Sequence, residues 1–185
     1  MVDIPNYRAL IRHYDAKSEG VRWQFWGLPD LIEQGFNEAT LAYSFLRLEQ
    51  AQNRTLYGAL LRLHRADSAL VRRILDRQHL TRQGFRELYR NVLGRAFPPA
   101  VAAALESAES ARDRVVHGKN VPARAMREAV ADVLDHAEAL NDEVLRIAGF
   151  RPCGDMRGIR GSRRVALDKR TTKWLMKGLG FSVRT

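Results

Sequence analysis

The chain has 185 residues, 45% of them hydrophobic, one cysteine and a formal net charge of +10. This allows one domain with a real core and an appendage. No apolar run approaches the ~20 residues of a membrane-spanning helix, and residues 1–22 lack the three-part pattern of a signal peptide. The lone Cys153 cannot form an internal disulfide and reads as a bystander, so the expectation is a cytoplasmic protein of a reducing compartment with no membrane partner.

The first 29 residues are mixed in character. Tyr7, Leu10, Ile11 and Tyr14 have helical spacing. Trp23, Phe25 and Trp26 cluster before Gly27 and Pro29 and are expected to cap one end of a core; a base-stacking platform is the other reading. Asp30 with Glu33 resembles a capping box and predicts the start of the first main helix. Leu31, Ile32, Gly35, Phe36, Ala39, Ala42, Phe45, Leu46 and Glu49 follow a helical period. That helix either breaks at Asn53-Arg54-Thr55 or runs on through Leu56, Leu60 and Leu63. Asp67 or Ser68 is expected to cap a second helix carrying Leu70, Val71, Ile74 and Leu75. Thr81 is expected to cap a third, with Phe85, Leu88, Tyr89, Val92 and Leu93 inward and Gly94 as its stop.

Pro98 and Pro99 are tolerated only in a first helical turn. The alanine-rich run from Ala100 therefore predicts one helix that ends at Gly118. The next helix is the most legible. Asn120 is expected to cap it and Pro122 to sit in its first turn. Met126, Val130, Val133, Ala137, Leu140, Val144 and Ile147 recur at alternating steps of four and three, a seam against neighbouring helices, and Gly149 ends it. No segment alternates as a half-buried strand does. The predicted core is all-α, an antiparallel helical bundle over residues 30–150, with residues 1–29 packed on it.

Residues 151–185 are a basic extension. They hold 10 of the chain's 31 Lys+Arg and 2 of its 21 Asp+Glu, which leaves the first 150 residues close to neutral. A local excess of this kind attracts a polyanion, and nucleic acid is the usual one; a solvated tail is the plainer alternative. Arg157, Arg160, Arg163 and Arg164 fall in a glycine-containing stretch. Asp168 to Lys177 predicts a short helix with Lys169, Arg170 and Lys173 around Trp174. The sequence leaves open whether this helix docks on the bundle, clasps a second subunit or orders on RNA.

The stretch that carries chemistry is Arg112-Asp113-Arg114-Val115-Val116-His117-Gly118-Lys119. An arginine, a small polar residue and, five positions after the arginine, a histidine meet at a predicted helix end. The same spacing recurs at Arg8…His13 and, more loosely, at Arg73…His79. Only Arg112 is followed by a small polar residue, and only His117 by a glycine between two long helices. His64, His79 and His136 read as structural or solvent-facing, with Asp132 a partner for His136 one turn earlier. No His/Cys cluster has metal-ligand spacing. There is no Walker-type or dinucleotide glycine motif, and no helix-turn-helix supports DNA binding.

Over roughly residues 30–150 these features resemble the HEPN family. Its members are small all-α domains, many of them metal-independent endoribonucleases acting in toxin–antitoxin or antiviral defence. The resemblance rests on Arg112, Asp113, His117, the Val-Val-His-Gly end and the long helix after it. The chemistry also stands without it. RNA carries its own nucleophile in the 2′-hydroxyl; cleavage needs a base, an acid and a cation for the phosphorane. Imidazole, with an ordinary pKa of about 6.5, serves as base or acid near neutrality. A guanidinium matches phosphate oxygens two at a time. The expectation is catalysis by Arg112 and His117 with Asp113 orienting one of them. Arg114 and Lys119 would hold flanking RNA phosphates together with the basic extension, and no cofactor or metal would take part. One motif offers one histidine, which favours a homodimer that supplies two, as the family builds its sites. The resemblance also implies an antitoxin or regulatory protein partner. The alternative is a non-catalytic HEPN-like module that binds RNA or protein.

Overall fold

The computed structural model describes residues 3–35, 37–78, 80–159 and 165–183. These form ten helices and no strand: α1 (Tyr7–Asp15), α2 (Glu19–Gln24), α3 (Leu28–Glu33), α4 (Asn37–Arg62), α5 (Ser68–Leu75), α6 (Arg82–Leu93), α7 (Pro99–Ala103), α8 (Glu106–Val116), α9 (Ala123–Ala148) and α10 (Lys169–Gly178). The protein is thus an all-α bundle. Among the described residues no helix is long and apolar enough to cross a membrane.

The spine is α9. Its alternating four- and three-residue steps put Met126, Val130, Val133, Ala137, Leu140 and Val144 on one stripe, and all six are buried. The five larger side chains, all but Ala137, each contribute about 1.5–3 kcal/mol through the water they shed. Gly149 ends the helix in the left-handed conformation, as a residue without a Cβ can at no steric cost. At the other end Pro122, not Asn120, is the N-cap, and no side chain caps the helix.

Helix α4 lies beside α9 and runs the same way. Asn37 and Thr40 sit with Met126 and Val130 at one end. At the other, Gly58 faces Phe150 and Gly149 faces Arg62. A Cβ on Gly58 would lie 2.4 Å from the Phe150 ring, so glycine permits this close approach. Helix α8 runs back antiparallel to α9, since Val101 bonds His136 while Ser107 bonds Asp132. The segment from α5 to α8 therefore carries the chain back between two parallel long helices.

The buried residues form two clusters, both threaded by α4 and α9. One gathers α1–α3, the first half of α4, α8 and Cys153. The other gathers the second half of α4, α5, α6 and α10. Caps written in the sequence recur here. Asp67 accepts from Leu70 N–H, Thr81 from Gly84 N–H, and Asp168 from the amides of Arg170 and Thr171, each satisfying an orphan donor of a first turn.

Several expectations are corrected. Asp30 does not start the long helix; it lies inside the short α3, with Pro29 in the first turn. Gly35, at φ 72°, separates α3 from α4. Phe36 lies outside the described residues. Of the two courses left open at Asn53, helix α4 takes the second and runs on to Arg62. Its inward face is Leu41, Phe45, Leu48 and Ala51, while Leu46 is exposed. The alanine-rich run is two helices, α7 and α8; no breaker residue marks the interruption, at which Leu105 turns inward and is buried. Only Phe25 of the aromatic trio joins the core, and Trp23 and Trp26 are exposed.

The C-terminal helix is docked on the bundle. Thr172 and Met176 are fully buried. Asp67 N–H donates to Thr172 Oγ1 at 3.0 Å, and Leu167 N–H to Arg65 O at 2.8 Å. Asn91 reaches Leu179 O at 3.0 Å.

Candidate functional site

The histidine of the octapeptide stands at a closed helix end. His117 is the C-cap of α8, and Gly118 follows at φ 67°. Gly118 N–H donates to Val115 O at 2.9 Å and Lys119 N–H to Arg114 O at 2.8 Å. This pair of bonds is the Schellman closure, which needs a left-handed residue and so selects glycine at 118. His117 is exposed, as are Val116, Lys119 and Arg114. The Arg114 guanidinium turns back onto Asn120 O at 2.8 Å, tying the helix end to the loop that leads into α9.

Arg112 faces another way. Five residues along a helix turn its direction by about 140°. Its guanidinium reaches Glu49 of α4 at 3.2 Å and lies 5.0 Å from the centre of the Phe45 ring. Both ion-pair partners are partly exposed, which limits such a pair to about 0–1 kcal/mol. Among the described residues no hydrogen bond or ion pair joins Arg112 to His117. Asp113, expected to orient one of them, is instead held by Arg82 of α6, which donates to both carboxylate oxygens at 3.1 Å. Arg82 also reaches Glu109 at 2.8 Å. Burial raises the Glu109 carboxyl above its ordinary value, and the Arg82 charge opposes that shift.

These side chains border an open cavity of about 450 Å³ between α4, α6 and α8. Arg112, Arg82, Glu49 and Glu109 line it over an apolar floor that includes Phe45, Leu48 and Leu105. His117 is not among the lining residues.

The remaining histidines are occupied elsewhere. His13 and Lys17 both bond the Asp135 carboxylate, at 2.9 and 2.5 Å. Burial alone would raise that carboxyl, but the two donors outweigh it and lower it. His64 meets Val92 O at 2.7 Å. His136 is buried on α9, and its Nδ1 meets Val101 O at 2.8 Å; Asp132, its expected partner, bonds Ser107 instead. Burial pushes His136 down to about 4, and its Nε2 has no hydrogen-bond partner. Both facts fit a neutral ring that donates from Nδ1. His79 lies outside the described residues. Cys153 is fully buried, and burial pushes its thiol up to about 12.

The basic extension divides. Lys169 and Arg170 are exposed at the start of α10, and Lys173 is half-buried one turn on. Arg157 pairs with Asp155 at 2.5 Å. Arg160, Arg163 and Arg164 lie outside the described residues. Among the described residues no group of three or more His, Cys, Asp or Glu side chains is placed to hold a metal ion. The sequence reading missed Arg82, Glu109 and the pairing role of Glu49. Ion pairs between helices leave no periodic trace, so no pattern in the chain announced them.

Compared with protein-family models, curated proteins and solved structures, the chain matches none.

Proposed function

We propose that the protein is a metal-independent endoribonuclease in which His117 and Arg112 act on RNA across a homodimer, in a toxin–antitoxin or antiviral setting. The observation that carries this reading is the presentation of His117. It stands exposed on a helix end held by the Gly118 closure, with the cations Arg114 and Lys119 beside it. In this scheme His117 of one subunit takes the proton from the 2′-hydroxyl. The oxygen attacks the neighbouring phosphorus, and the bond to the 5′-oxygen breaks as a second imidazole returns a proton. The products are a 2′,3′-cyclic phosphate and a 5′-hydroxyl, and no metal is needed for the balance. Arg112 neutralises charge that builds on the phosphorane. Its weak pair with Glu49 is readily exchanged for a phosphate. Asp113 acts as a positioning residue through Arg82. Val116, 70% exposed next to His117, is apolar surface that a second copy would cover.

The second reading is a non-catalytic module that binds RNA or a protein. It is favoured by the carboxylates that already hold Arg112 and the neighbouring Arg82. The two separate in one experiment. RNA is incubated in EDTA with wild type, Arg112→Ala and His117→Ala. Cleavage by wild type, reduced about 10²–10⁴-fold in His117→Ala and about 10²-fold or more in Arg112→Ala, supports the nuclease. Binding without cleavage in all three proteins sinks it. A substrate with a 2′-deoxy residue at the cut site must be inert.

A further inference from the structure

A second groove lies around α4 from the Arg112 cavity. At 100° per residue, Asn53, Arg54 and Tyr57 point about 120° away from Phe45, Glu49 and Gln52. The groove is walled by α2, α4, α5 and residues 151–159, and its main part encloses about 910 Å³. It adjoins a hollow of about 310 Å³, with Arg54, Tyr57, Arg72 and Met156 common to both.

Its wall depends on one close approach. A Cβ on Gly20 would lie 2.1 Å from Cys153 O, so glycine lets α2 lie directly on the 151–159 backbone. That contact sets Trp23, 57% exposed, over the groove. The Arg54 guanidinium lies 5.2 Å from the Trp23 ring centre and donates to Pro152 O at 2.5 Å and to Gly154 O. Arg72 lies 5.6 Å from the Tyr57 ring centre and has no ion pair among the described residues. Arg151, in an exposed pair with Asp142 at 3.6 Å, and Arg157 add two more cations, against the carboxylates of Glu19 and Asp155 and, in the hollow, Asp76. Asp155 is already matched by Arg157. Ser18 Oγ in the main groove and Asn53 Oδ1 in the hollow are buried without a hydrogen-bond partner.

Arginines interleaved with open aromatic rings suit a particular chemistry. Bases stack on aromatic and guanidinium planes, while guanidinium edges take phosphate oxygens. An acidic peptide would use the charge but leave the exposed indole idle. We propose that this groove binds a short stretch of single-stranded nucleic acid, one base stacked on Trp23 and flanking phosphates held by Arg72 and Arg151. It rests on the reading above only for RNA as the strand in question.

The probe is a fluorescent dodecamer of 2′-O-methyl ribonucleotides, which cannot be cleaved by 2′-hydroxyl attack. Its binding is followed by anisotropy with wild type, Trp23→Ala, Trp23→Phe, Arg72→Glu and Trp26→Ala. Trp23→Ala weakens binding about tenfold, and Trp23→Phe restores most of it. Arg72→Glu weakens it about as much and flattens its salt dependence. Trp26→Ala stays within about twofold of wild type, because Trp26 is an exposed indole outside the groove. Dodecamer binding unchanged by both groove substitutions overturns the proposal, even if the protein cleaves RNA. Displacement of the probe by AMP as effectively as by unlabelled dodecamer also overturns it, since the groove would then be a free-nucleotide site. Groove-dependent binding by a protein that never cleaves RNA upholds it and sinks only the nuclease reading.

Discussion

The Arg112 side and the Arg72 side of α4 differ in what surrounds their cations. On the first, arginines meet carboxylates: Arg112 with Glu49, and Arg82 with Glu109 and Asp113. On the second, the two arginines along the groove floor lie over rings and against carbonyls, Arg54 on Trp23 and the 152–154 backbone and Arg72 on Tyr57, while Arg151 and Arg157 at its rim meet Asp142 and Asp155. A ring or a carbonyl orients a guanidinium without cancelling its charge, whereas a carboxylate cancels it. The first surface is therefore electrically quieter and must exchange partners to receive a phosphate. On the second, Arg72 is open to one as it stands.

The difference also appears in titration. Buried ionisable groups cluster behind α7 and α8: His136, Glu109 and Asp132. The largest predicted effect comes from His136. Its folded pKa, about 4, lies below the ordinary 6.5, so its contribution is present above 6.5 and is lost as pH falls toward 4. At pH 4.5 the loss is about 2–3 kcal/mol. Burial raises Glu109 and Asp132; for carboxyls that sign opposes acid unfolding, so only a difference measurement isolates the histidine. His136→Asn keeps a donor toward Val101. Its denaturant-derived stability should fall less than wild type's between pH 7 and 4.5, by about 2–3 kcal/mol. Parallel falls in the two proteins would show that His136 does not supply the acid sensitivity of this side.

A middle-sized effect tests the carboxylate pairing itself. Arg82→Ala leaves Glu109 buried without its partner, at a cost of about 1–3 kcal/mol. Thermal melting reads this directly, and an unchanged melting temperature would mean that Glu109 finds water or another cation. The smallest effect is the most diagnostic of exchange. Glu49→Gln frees Arg112 from an exposed pair worth at most about 1 kcal/mol. RNA affinity should rise by less than about fivefold, with stability within about 0.5 kcal/mol of wild type. A drop in affinity would mean that Glu49 holds Arg112 in its working position.

Some of this was legible in the chain and some was not. The stripe on α9 was, because burial on one helix face imposes a period that survives in the residues themselves. So were the caps at Asp67 (with Ser68 as the alternative) and Thr81, the short helix from Asp168, and the stops at Gly94, Gly118 and Gly149, where local backbone geometry selects residue type. Asp30 misled because a capping-box pattern carries no information about Gly35 five positions later. The split at Leu105 has no local signal at all. The cluster of Trp23, Phe25 and Trp26 predicts a cap on one end of a core because aromatics bury well, with a base-stacking platform as the alternative; the exposure of Trp23 depends on where α2 meets the 151–159 loop through Gly20. The octapeptide was visible as a motif and as a helix end. The divergence of Arg112 from His117, and the claim of Arg82 on Asp113, arise only when α4 and α6 come alongside.

The docking of α10 has an electrostatic consequence. Lys169, Arg170, Lys173 and Lys177 belong to a helix pinned by Thr172 and Met176 to α5 and its surroundings, so their charge keeps a constant bearing relative to the body. A tethered cationic segment would average its field over many directions. An anchored one gives the molecule a lasting dipole, and a polyanion diffusing toward it is turned into a preferred orientation before the surfaces touch.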